Sequence, residues 1–400
     1  MISPNSLHDP NRRLLFRCAG ALLGTAAMPL ALAADKPPLL IGIDAEFGLQ
    51  RSTSAQAIQL GAQAAVNEIN AAGGLLGGRK LQLLIRDNRS IPARGVANLR
   101  ELAGQPGLVA VLGGRFSPVV IEQLPVIADR KIPFIAVWSS AENIVRNDMR
   151  PNYVFRVSLR DSLAMPFMLR HAARRGIRRV GLLLSNTAWG RSNLEAAERH
   201  VNEGHGPTIV ASNWFSWADK SMIGKYRQMV DAGAQAIVVV ANDEAAILVR
   251  EMAALPRSQR VPLIAHWGVA GGEFFEQCSD ALPAVDLSVL QTFSFFSAGI
   301  ARRERFLATA ASMGVRRIED IRSAVGVAHA YDAVHLLALA IRKADSDDRE
   351  RIRAALEHLP HWEGLVRRYG PAFSPNQHEA LSSSDLMMTR YRADGPLVPL

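Results

Sequence analysis

The feature that most constrains this sequence is the alternation of short apolar runs with amphipathic segments between residues 39 and 265. The apolar runs have the length of strands and little polar alternation, which is typical of strands buried on both faces of a parallel sheet. The intervening segments place apolar side chains at helical spacing, as Ile58, Ala62 and Val66 do. The pattern predicts an α/β fold with doubly wound parallel sheets.

Eight strands and eight helices are predicted in this way. The predicted strands are Leu39–Ile43, Leu81–Arg86, Val109–Leu112, Pro133–Val137, Val180–Leu184, Ile209–Ser212, Ala236–Val240 and Pro262–Ala265. The predicted helices are Gln56–Ala71, Pro118–Asp129, Asp161–Arg174, Arg191–Glu203, Met222–Ala232, Glu244–Ala254, Ser323–Lys343 and Asp348–Leu359, the last with Asp345, Ser346 and Asp347 as cap and acidic first turn.

These units could form one barrel or two open sheets. The segment "RPNYVFRVSLRD" (150–161) is extended, begins with proline and exceeds the roughly 2–6 residues of ordinary α/β loops. It therefore favours two sheets, in two lobes, with a crossover between them.

The N-terminal 33 residues have the pattern of a secretory signal. Three arginines precede the apolar stretch Ala19–Leu32, and a small-residue cleavage site ends at Ala33. The stretch is shorter than the ~20 residues of a membrane span. The alternative is a short hydrophobic helix of the mature fold. Arg12-Arg13 leaves both the general secretory and the twin-arginine export routes open.

Charge and cysteine content exclude several other classes. The net charge of +9 is carried mostly by arginine, and the densest cluster, in "HAARRGIRRVG", falls where a helix should end. Cations are favoured at helix C-termini, so no nucleic-acid partner is predicted. Removal of the signal would leave Cys278 as the single cysteine, which excludes an internal disulfide.

The sequence gives little support for a catalytic, metal or cofactor site. "GGLLGGRK" (73–80) has the glycines of a phosphate loop, but they follow a predicted helix and precede a strand, which favours a turn. The histidines are scattered and no zinc or nucleophile motif occurs. We therefore predict no catalytic residue, no metal and no cofactor.

The informative polar and aromatic residues follow the predicted strands. In open α/β sheets ligands bind beyond the carboxyl ends of the strands. The residues at those ends are Asp44, Glu46, Arg115, Phe116, Ser117, Trp138, Ser139 and Ser140 in the first half, and Asn186 to Trp189, Asn242, Asp243, His266 and Trp267 in the second. Hydroxyls can bind a carboxylate or amide and aromatic rings can form apolar walls, although tryptophans could equally plug the sheet edges.

Longer stretches of the sequence resemble one known family. "LGAQAAVNEINAAGGLLGGRKLQLLIRD" (60–87), "VAVLGGRFSPVVIEQLPVIADRKIPFIAVWSS" (109–140), "NYVFRVSLRDS" (152–162), "AYDAVHLLALAIRKA" (330–344) and "WEGLVRRYGPAFSPNQHEAL" (362–381) are similar to type I periplasmic binding proteins. The similarity is to the leucine/isoleucine/valine-binding class of ABC importers, and it covers essentially the whole mature chain.

The resemblance implies two doubly wound lobes joined by three crossovers, near Val157, Val289 and Asp385. The expected N-terminal lobe comprises residues 34–157 and 290–384, and the C-terminal lobe comprises residues 158–289 and 385–400. The ligand cleft would lie between them.

The resemblance also implies ligand-binding positions. Those of the first lobe fall on Ser117, Trp138, Ser139 and Ser140. Those of the second lobe fall on Trp189, Asn242 and Trp267. Trp267 stands where relatives carry the acid that holds an amino acid's ammonium group, so a simple aliphatic amino acid is not the expected solute.

The missing acid gives the pair Asp44 and Glu46 two alternative roles. Neighbouring strands should bring both acids near Arg115, which could neutralise one of them, because an unpaired buried carboxylate is costly. Alternatively, an acid of this pair could bind a cationic group of the ligand.

The expected function is that of a non-enzymatic, periplasmic, monomeric receptor. It would capture a small polar solute of the amino acid, amine or amide type by lobe closure and deliver it to an ABC permease in the inner membrane. A sensor module of the same fold feeding a signalling partner is the alternative, and an exported hydrolase using Asp44 and Glu46 is a remote one.

Overall fold

The computed structural model describes residues 36–49 and 52–400, so the predicted signal and Cys18 lie outside the described residues. The strands are β1 Leu39–Ala45, β2 Leu81–Asp87, β3 Leu108–Gly113, β4 Phe134–Ala136, β5 Val154–Arg156, β6 Arg179–Ser185, β7 Thr208–Phe215, β8 Ala236–Val240, β9 Leu263–Ala265, β10 Leu287–Gln291, β11 Trp362–Glu363, β12 Arg368–Tyr369, β13 Met387–Tyr391 and β14 Leu397–Pro399.

The helices connect these strands and cover the sheets. They are α1 Thr53–Ala71, α2 Pro92–Ala103, α3 Ser117–Asp129, α4 Asp161–Arg174, α5 Ala188–Asn202, α6 Ile223–Asp231, α7 Ala245–Ala253, α8 Phe274–Cys278, α9 Ile300–Ala310, α10 Ala324–Ala344 and α11 Arg349–Leu356.

The first sheet contains β1 to β5 in the order β2-β1-β3-β4-β5, and all of its pairs are parallel. Its central strands β1 and β3 are almost wholly buried. The order reverses between β1 and β3, and this reversal point is where a doubly wound sheet opens a crevice beyond its carboxyl ends.

The second sheet repeats that arrangement and adds an antiparallel edge. Its order is β14-β13-β10-β9-β8-β6-β7, and β6 to β10 are parallel with a reversal between β6 and β8. β13 and β14 are antiparallel, which the sequence analysis did not predict. The fold prediction of two doubly wound lobes is confirmed, with this mixed edge as an addition.

The packing of α1 against α10 explains a glycine in the first lobe. A Cβ atom built on Gly61 would lie 2.0 Å from the carbonyl oxygen of Val327, so only glycine permits this helix approach. By length and composition α10 could cross a membrane, but most of its residues are buried inside the fold. It is therefore built as a core helix.

Some element boundaries were predicted wrongly. α11 begins at Arg349 and ends at Leu356, and its N-cap is Asp348, whose side chain accepts a hydrogen bond from the Arg351 amide. Asp345 instead ends α10 in the left-handed conformation. The predicted cap lay three residues too early, because two adjacent helix ends compete for the same run of acids.

The glycine-rich segment 73–80 is a turn, as predicted. It joins α1 to β2, and Gly73, Gly74, Gly77 and Gly78 all have positive φ angles. A phosphate loop would instead lead from a strand into a helix. Cys278, the one cysteine among the described residues, is buried and unpaired.

Candidate functional site

A small cavity, with about 10 Å³ of free space, lies beyond the carboxyl ends of both sheets. Six lining residues follow strands of the first sheet and form what we call the near wall: Arg115, Phe116, Ser117, Pro118, Trp138 and Ser140. Six follow strands of the second sheet and form the far wall: Thr187, Trp189, Trp217, Asn242, Trp267 and Gly268. The cavity is therefore a cleft site between the lobes, and its walls must move apart to admit anything larger than about one water.

The near wall carries the hydroxyls that face the cavity from the first lobe. Ser117 begins α3, with Pro118 in the first helical turn, where proline's missing N–H has no consequence. The indole N–H of Trp138 is buried and has no hydrogen-bond partner among the described residues. This wall thus offers hydrogen-bond donors and a positive helix end to a ligand.

The far wall is dominated by indole rings. Trp189 lies in the first turn of α5, whose N-cap Thr187 accepts a hydrogen bond from the Gly190 amide. The Trp189 indole donates to Asp161 Oδ1 over 3.2 Å, and the ring of His266 packs edge-on against it at 5.0 Å. Asp161 and His266 line no part of the cavity. They contact Trp189 on the side away from the cavity and fix the position of its ring.

A buried histidine supports Trp267 in the same way. His329 Nε2 lies 3.0 Å from Thr292 Oγ1, and Nδ1 lies 3.1 Å from the carbonyl oxygen of Val137. Burial lowers the pKa of His329 to about 4, so its ring is neutral at neutral pH. Its centroid is 5.7 Å from that of Trp267.

Contacts between the walls show that the cleft is closed. The Trp138 and Trp267 rings are 5.8 Å apart, and Phe116 packs edge-on against Trp217 at 5.5 Å. A hydrogen bond from Thr53 Oγ1 to the carbonyl of Gly272, 2.9 Å long, also links the two lobes. A solute in this cavity would be enclosed from both sides.

Asp44 does not face the cleft. It lies at the end of β1 and its carboxylate accepts hydrogen bonds from the side-chain amides of Asn88, Asn98 and Gln123, at 2.9, 2.7 and 2.7 Å. Burial raises the pKa of Asp44 to about 6, against the lowering effect of these amides. Its predicted alternatives, pairing with Arg115 or binding ligand, do not match this position, because successive strand residues point to opposite faces and Asp44 points towards α2 and α3.

Glu46, just beyond β1, is the acid beside Arg115. Its Oε1 accepts hydrogen bonds from the hydroxyls of Ser52 and Ser54 and lies 3.8 Å from Arg115 Nε. The guanidinium also donates from a terminal nitrogen to Asp243 Oδ1 of the other lobe, 3.2 Å away. Arg115 thus lies between an acid of its own lobe and an acid of the opposite lobe.

Eleven of the strand-end residues named above were predicted to bind ligand, and eight of these line the cavity: Arg115, Phe116, Ser117, Trp138, Ser140, Trp189, Asn242 and Trp267. Asp44, Glu46 and Ser139 do not. The sequence analysis missed Trp217 because it ended β7 at Ser212, whereas the strand continues to Phe215. With the correct end, the rule that ligands bind beyond strand ends would have selected Trp217.

The chemistry of the lining favours binding over reaction. No carboxylate or histidine lies among the twelve lining residues, and Arg115 is the only charged one. Among residues 36–49 and 52–400, no group of three or more metal-ligating side chains occurs. Asp44 and Glu46 do not meet at a common cavity, so the carboxylate pair that the hydrolase alternative requires is not formed.

Comparisons with known proteins agree with this architecture. The family model described as "Periplasmic binding protein" matches residues 46–396. The Leu/Ile/Val-binding protein BraC3 of Rhizobium johnstonii is 25% identical over 316 residues, which is 75% of this chain and 78% of the relative.

Two solved structures show the same fold. A type 1 periplasmic binding protein of Bordetella pertussis superposes with a TM-score of 0.81 at 21% identity, covering 91% of this chain and all of the other. A solute-binding protein of an ABC transporter from R. palustris, in complex with 4-hydroxybenzoate, superposes with a TM-score of 0.75 at 17% identity, covering 91% and 95%. The predicted family is confirmed: the chain belongs to the type I periplasmic binding proteins, the leucine/isoleucine/valine-binding class of ABC transporter solute receptors.

Proposed function

We propose that this protein is the periplasmic receptor of an ABC importer for a small aromatic carboxylate of the benzoate type. The observation that carries the proposal is the lining of the cleft, where five aromatic side chains surround the cavity and no carboxylate is present. This differs from the amino acid, amine or amide that the sequence predicted.

The aromatic side chains suit a flat ring. Trp138 and Trp267 approach from opposite walls with their planes tilted by 47°, and Trp189 is fixed by Asp161. Aromatic pairs gain about 0.5–1.5 kcal/mol beyond the burial of area, so ring stacking selects aromatic over aliphatic solutes.

The near wall suits the carboxylate of such a solute. Ser117 and Ser140 present hydroxyls, the N-terminus of α3 is positive, and the Trp138 indole N–H has no partner among the described residues. An α-ammonium group, by contrast, would find no lining carboxylate, since Trp267 occupies the position predicted for that acid. Burial of an unpaired ammonium is unfavourable.

The names of similar proteins leave both ligand types open. The R. johnstonii relative is named for leucine, isoleucine and valine, whereas the R. palustris structure contains 4-hydroxybenzoate. One fold therefore serves both solute classes, and the residues of this cleft decide between them.

Closure would convert binding into a signal for the permease. A solute that touches both walls stabilises the closed form by its differential affinity for that form. The predicted signal sequence and the family both support export to the periplasm, with an inner-membrane permease as partner of the monomer.

Isothermal titration with a matched set of solutes tests the proposal. The mature protein is unfolded, dialysed to remove any retained ligand, refolded and titrated with benzoate, cyclohexanecarboxylate, benzamide and leucine. We expect benzoate to bind at least about tenfold more tightly than the saturated ring or the uncharged amide. Tighter binding of leucine than of benzoate would overturn the proposal.

A further inference from the structure

A second, wider cavity adjoins the ligand cleft. Its volume is about 440 Å³, and like the cleft it is lined from both lobes. Pro118, Thr187 and Trp217 line both cavities, whereas Trp138, Ser140 and Trp267 line the inner one only. The three shared residues therefore mark the side of the inner cavity that opens outwards. We call the outer cavity the vestibule.

Trp217 lines both the inner cavity and the vestibule. It lies in the loop after β7, its side chain is 43% exposed, and its ring packs edge-on against Phe116. No hydrogen bond holds its indole N–H among the described residues. The Trp217 ring can therefore turn away from Phe116 without breaking a hydrogen bond.

The lining of the vestibule combines apolar and polar side chains. Pro92, Pro118, Ile121 and Phe215 supply apolar surface. Apart from Trp217, its other lining residues are polar, charged or small: Ser90, Glu122, Asn186, Thr187, Ala188, Arg191 and Ser216.

Two of these residues carry opposite charges on opposite lobes. Glu122 belongs to α3 and Arg191 to α5, and neither forms an ion pair among the described residues. Arg191 makes one long hydrogen bond, 3.4 Å, to Asn186. Both charged groups remain available to the polar end of a bound molecule.

We infer that the vestibule is a second subsite of the same ligand. It accepts an apolar extension on the aromatic ring, opposite the carboxylate, that ends in a hydrogen-bonding group. This inference rests on the proposed function, because the ring and carboxylate are placed in the inner cavity. It adds that the natural solute is an elongated aryl carboxylate rather than benzoate itself.

Titration of benzoate, 4-(3-hydroxypropyl)benzoate and its 2-substituted isomer tests the inference. We expect the 4-substituted compound to bind about tenfold more tightly than benzoate, since its methylenes leave water for the apolar surface of the vestibule. The 2-substituted isomer should bind more weakly than benzoate, because its extension points into the walls. Equal or weaker binding of the 4-substituted compound would overturn the subsite.

Substitutions that fill the vestibule provide an independent readout. Ile121→Trp and Ala188→Trp add bulk from opposite lobes and touch only the vestibule. Each should remove the advantage of the 4-substituted compound and leave benzoate affinity within about twofold of wild type. Ile300→Trp, at an exposed position of α9, is the matched control and should change neither affinity.

The outcomes separate the two proposals. Failure of benzoate and of both extended compounds to bind contradicts the aromatic-carboxylate function and the subsite with it. If benzoate binds but the 4-substituted compound binds no more tightly, the vestibule alone is contradicted. The same holds if the 4-substituted compound keeps its full gain in affinity in both Ile121→Trp and Ala188→Trp. Binding of the 4-substituted compound alone, abolished by Ile121→Trp but not by Ile300→Trp, supports the vestibule.

Discussion

The two walls of the cleft are built on the same strand arrangement yet carry different side chains. Both sheets place a reversal of strand order beside the cavity, between β1 and β3 in one and between β6 and β8 in the other. The near wall contributes two serines and the one charged lining residue, whereas the far wall contributes three of the four tryptophans. The comparison teaches that topology fixes where a ligand lies, and that the side chains after each strand decide what the ligand is.

The groups behind the two walls differ as well. Behind the near wall, Asp44 is an acid whose pKa burial raises to about 6, with Glu46 as a smaller repulsive influence. Behind Trp267, His329 is a base whose pKa burial lowers to about 4. Burial favours the neutral form of both groups, but their contributions to the unfolding free energy change with pH in opposite directions.

The largest expected effect is on the pH dependence of unfolding. Asp44 binds its proton more tightly when folded, so its contribution to the unfolding free energy falls as pH rises from 4 to 6. His329 binds its proton more tightly when unfolded, so its contribution rises over the same interval. Each effect amounts to about 3 kcal/mol across its window, and the two partly cancel in wild type.

Urea unfolding between pH 4 and 7 would separate the contributions of Asp44 and His329 to the unfolding free energy. Relative to wild type, Asp44→Asn should make the slope of the unfolding free energy against pH more positive, and His329→Gln should make it more negative. Asp332, whose pKa burial raises to about 7, titrates alike in both variants and drops out of the comparison. Identical slopes in all three proteins would show that neither group titrates as described.

The next largest effect concerns the aromatic far wall. Trp267→Glu places an acid at the position where the family resemblance predicts one for an ammonium group, and it removes one face of the ring site. Benzoate affinity should fall by about a hundredfold, from lost stacking and like-charge repulsion, and leucine binding should appear. Trp267→Leu, which keeps an apolar side chain, should weaken benzoate without admitting leucine. Calorimetric titration measures both, and unchanged benzoate affinity in Trp267→Glu would remove Trp267 from the site.

A smaller effect is expected on the near wall. Ser140→Ala removes a hydroxyl that lines the cavity, and it should weaken benzoate binding by at least about tenfold, the lower end of the effect of losing a hydrogen bond to a charged group. Ser139→Ala is the adjacent control, since Ser139 is buried but lines no part of the cavity. Equal losses in the two variants would indicate a structural effect on the loop rather than contact with the carboxylate.

The sequence was sufficient to predict the two sheets and most of the residues that line the cleft. Fully apolar strands and amphipathic helices predicted the two sheets, and the rule that ligands bind beyond strand ends selected Ser117, Trp138 and Trp267 before their positions were known. Trp217 was lost only through a strand end misplaced by three residues. Such ends are poorly marked because the late strand residues, in "NWF", are only partly apolar.

What the sequence could not predict depends on contacts between distant elements. Spacing alone does not reveal that Asp44 is bound by amides from three separate segments, or that Arg115 is shared between Glu46 and Asp243. Tertiary packing decides which partner each charged group contacts, because several partners lie within its reach. The antiparallel edge of the second sheet likewise arises from a return of the chain at its far end.

The smallest expected effect follows from that shared arginine. Arg115 and Asp243 come from opposite lobes, so we expect their ion pair to contribute to lobe closure, whereas Glu46 and Arg115 belong to the same lobe. Asp243→Asn should therefore leave unfolding almost unchanged and weaken benzoate by about threefold, because Asp243 is partly exposed and partly screened. The loss should shrink as salt is raised, since a screened pair contributes less to closure.

Asp280→Asn, which removes an exposed partner of Arg250 within the second lobe, is the matched control and should leave binding unchanged at every salt concentration. Titration of both variants at low and high salt would decide whether the arginine links the two walls or only neutralises Glu46.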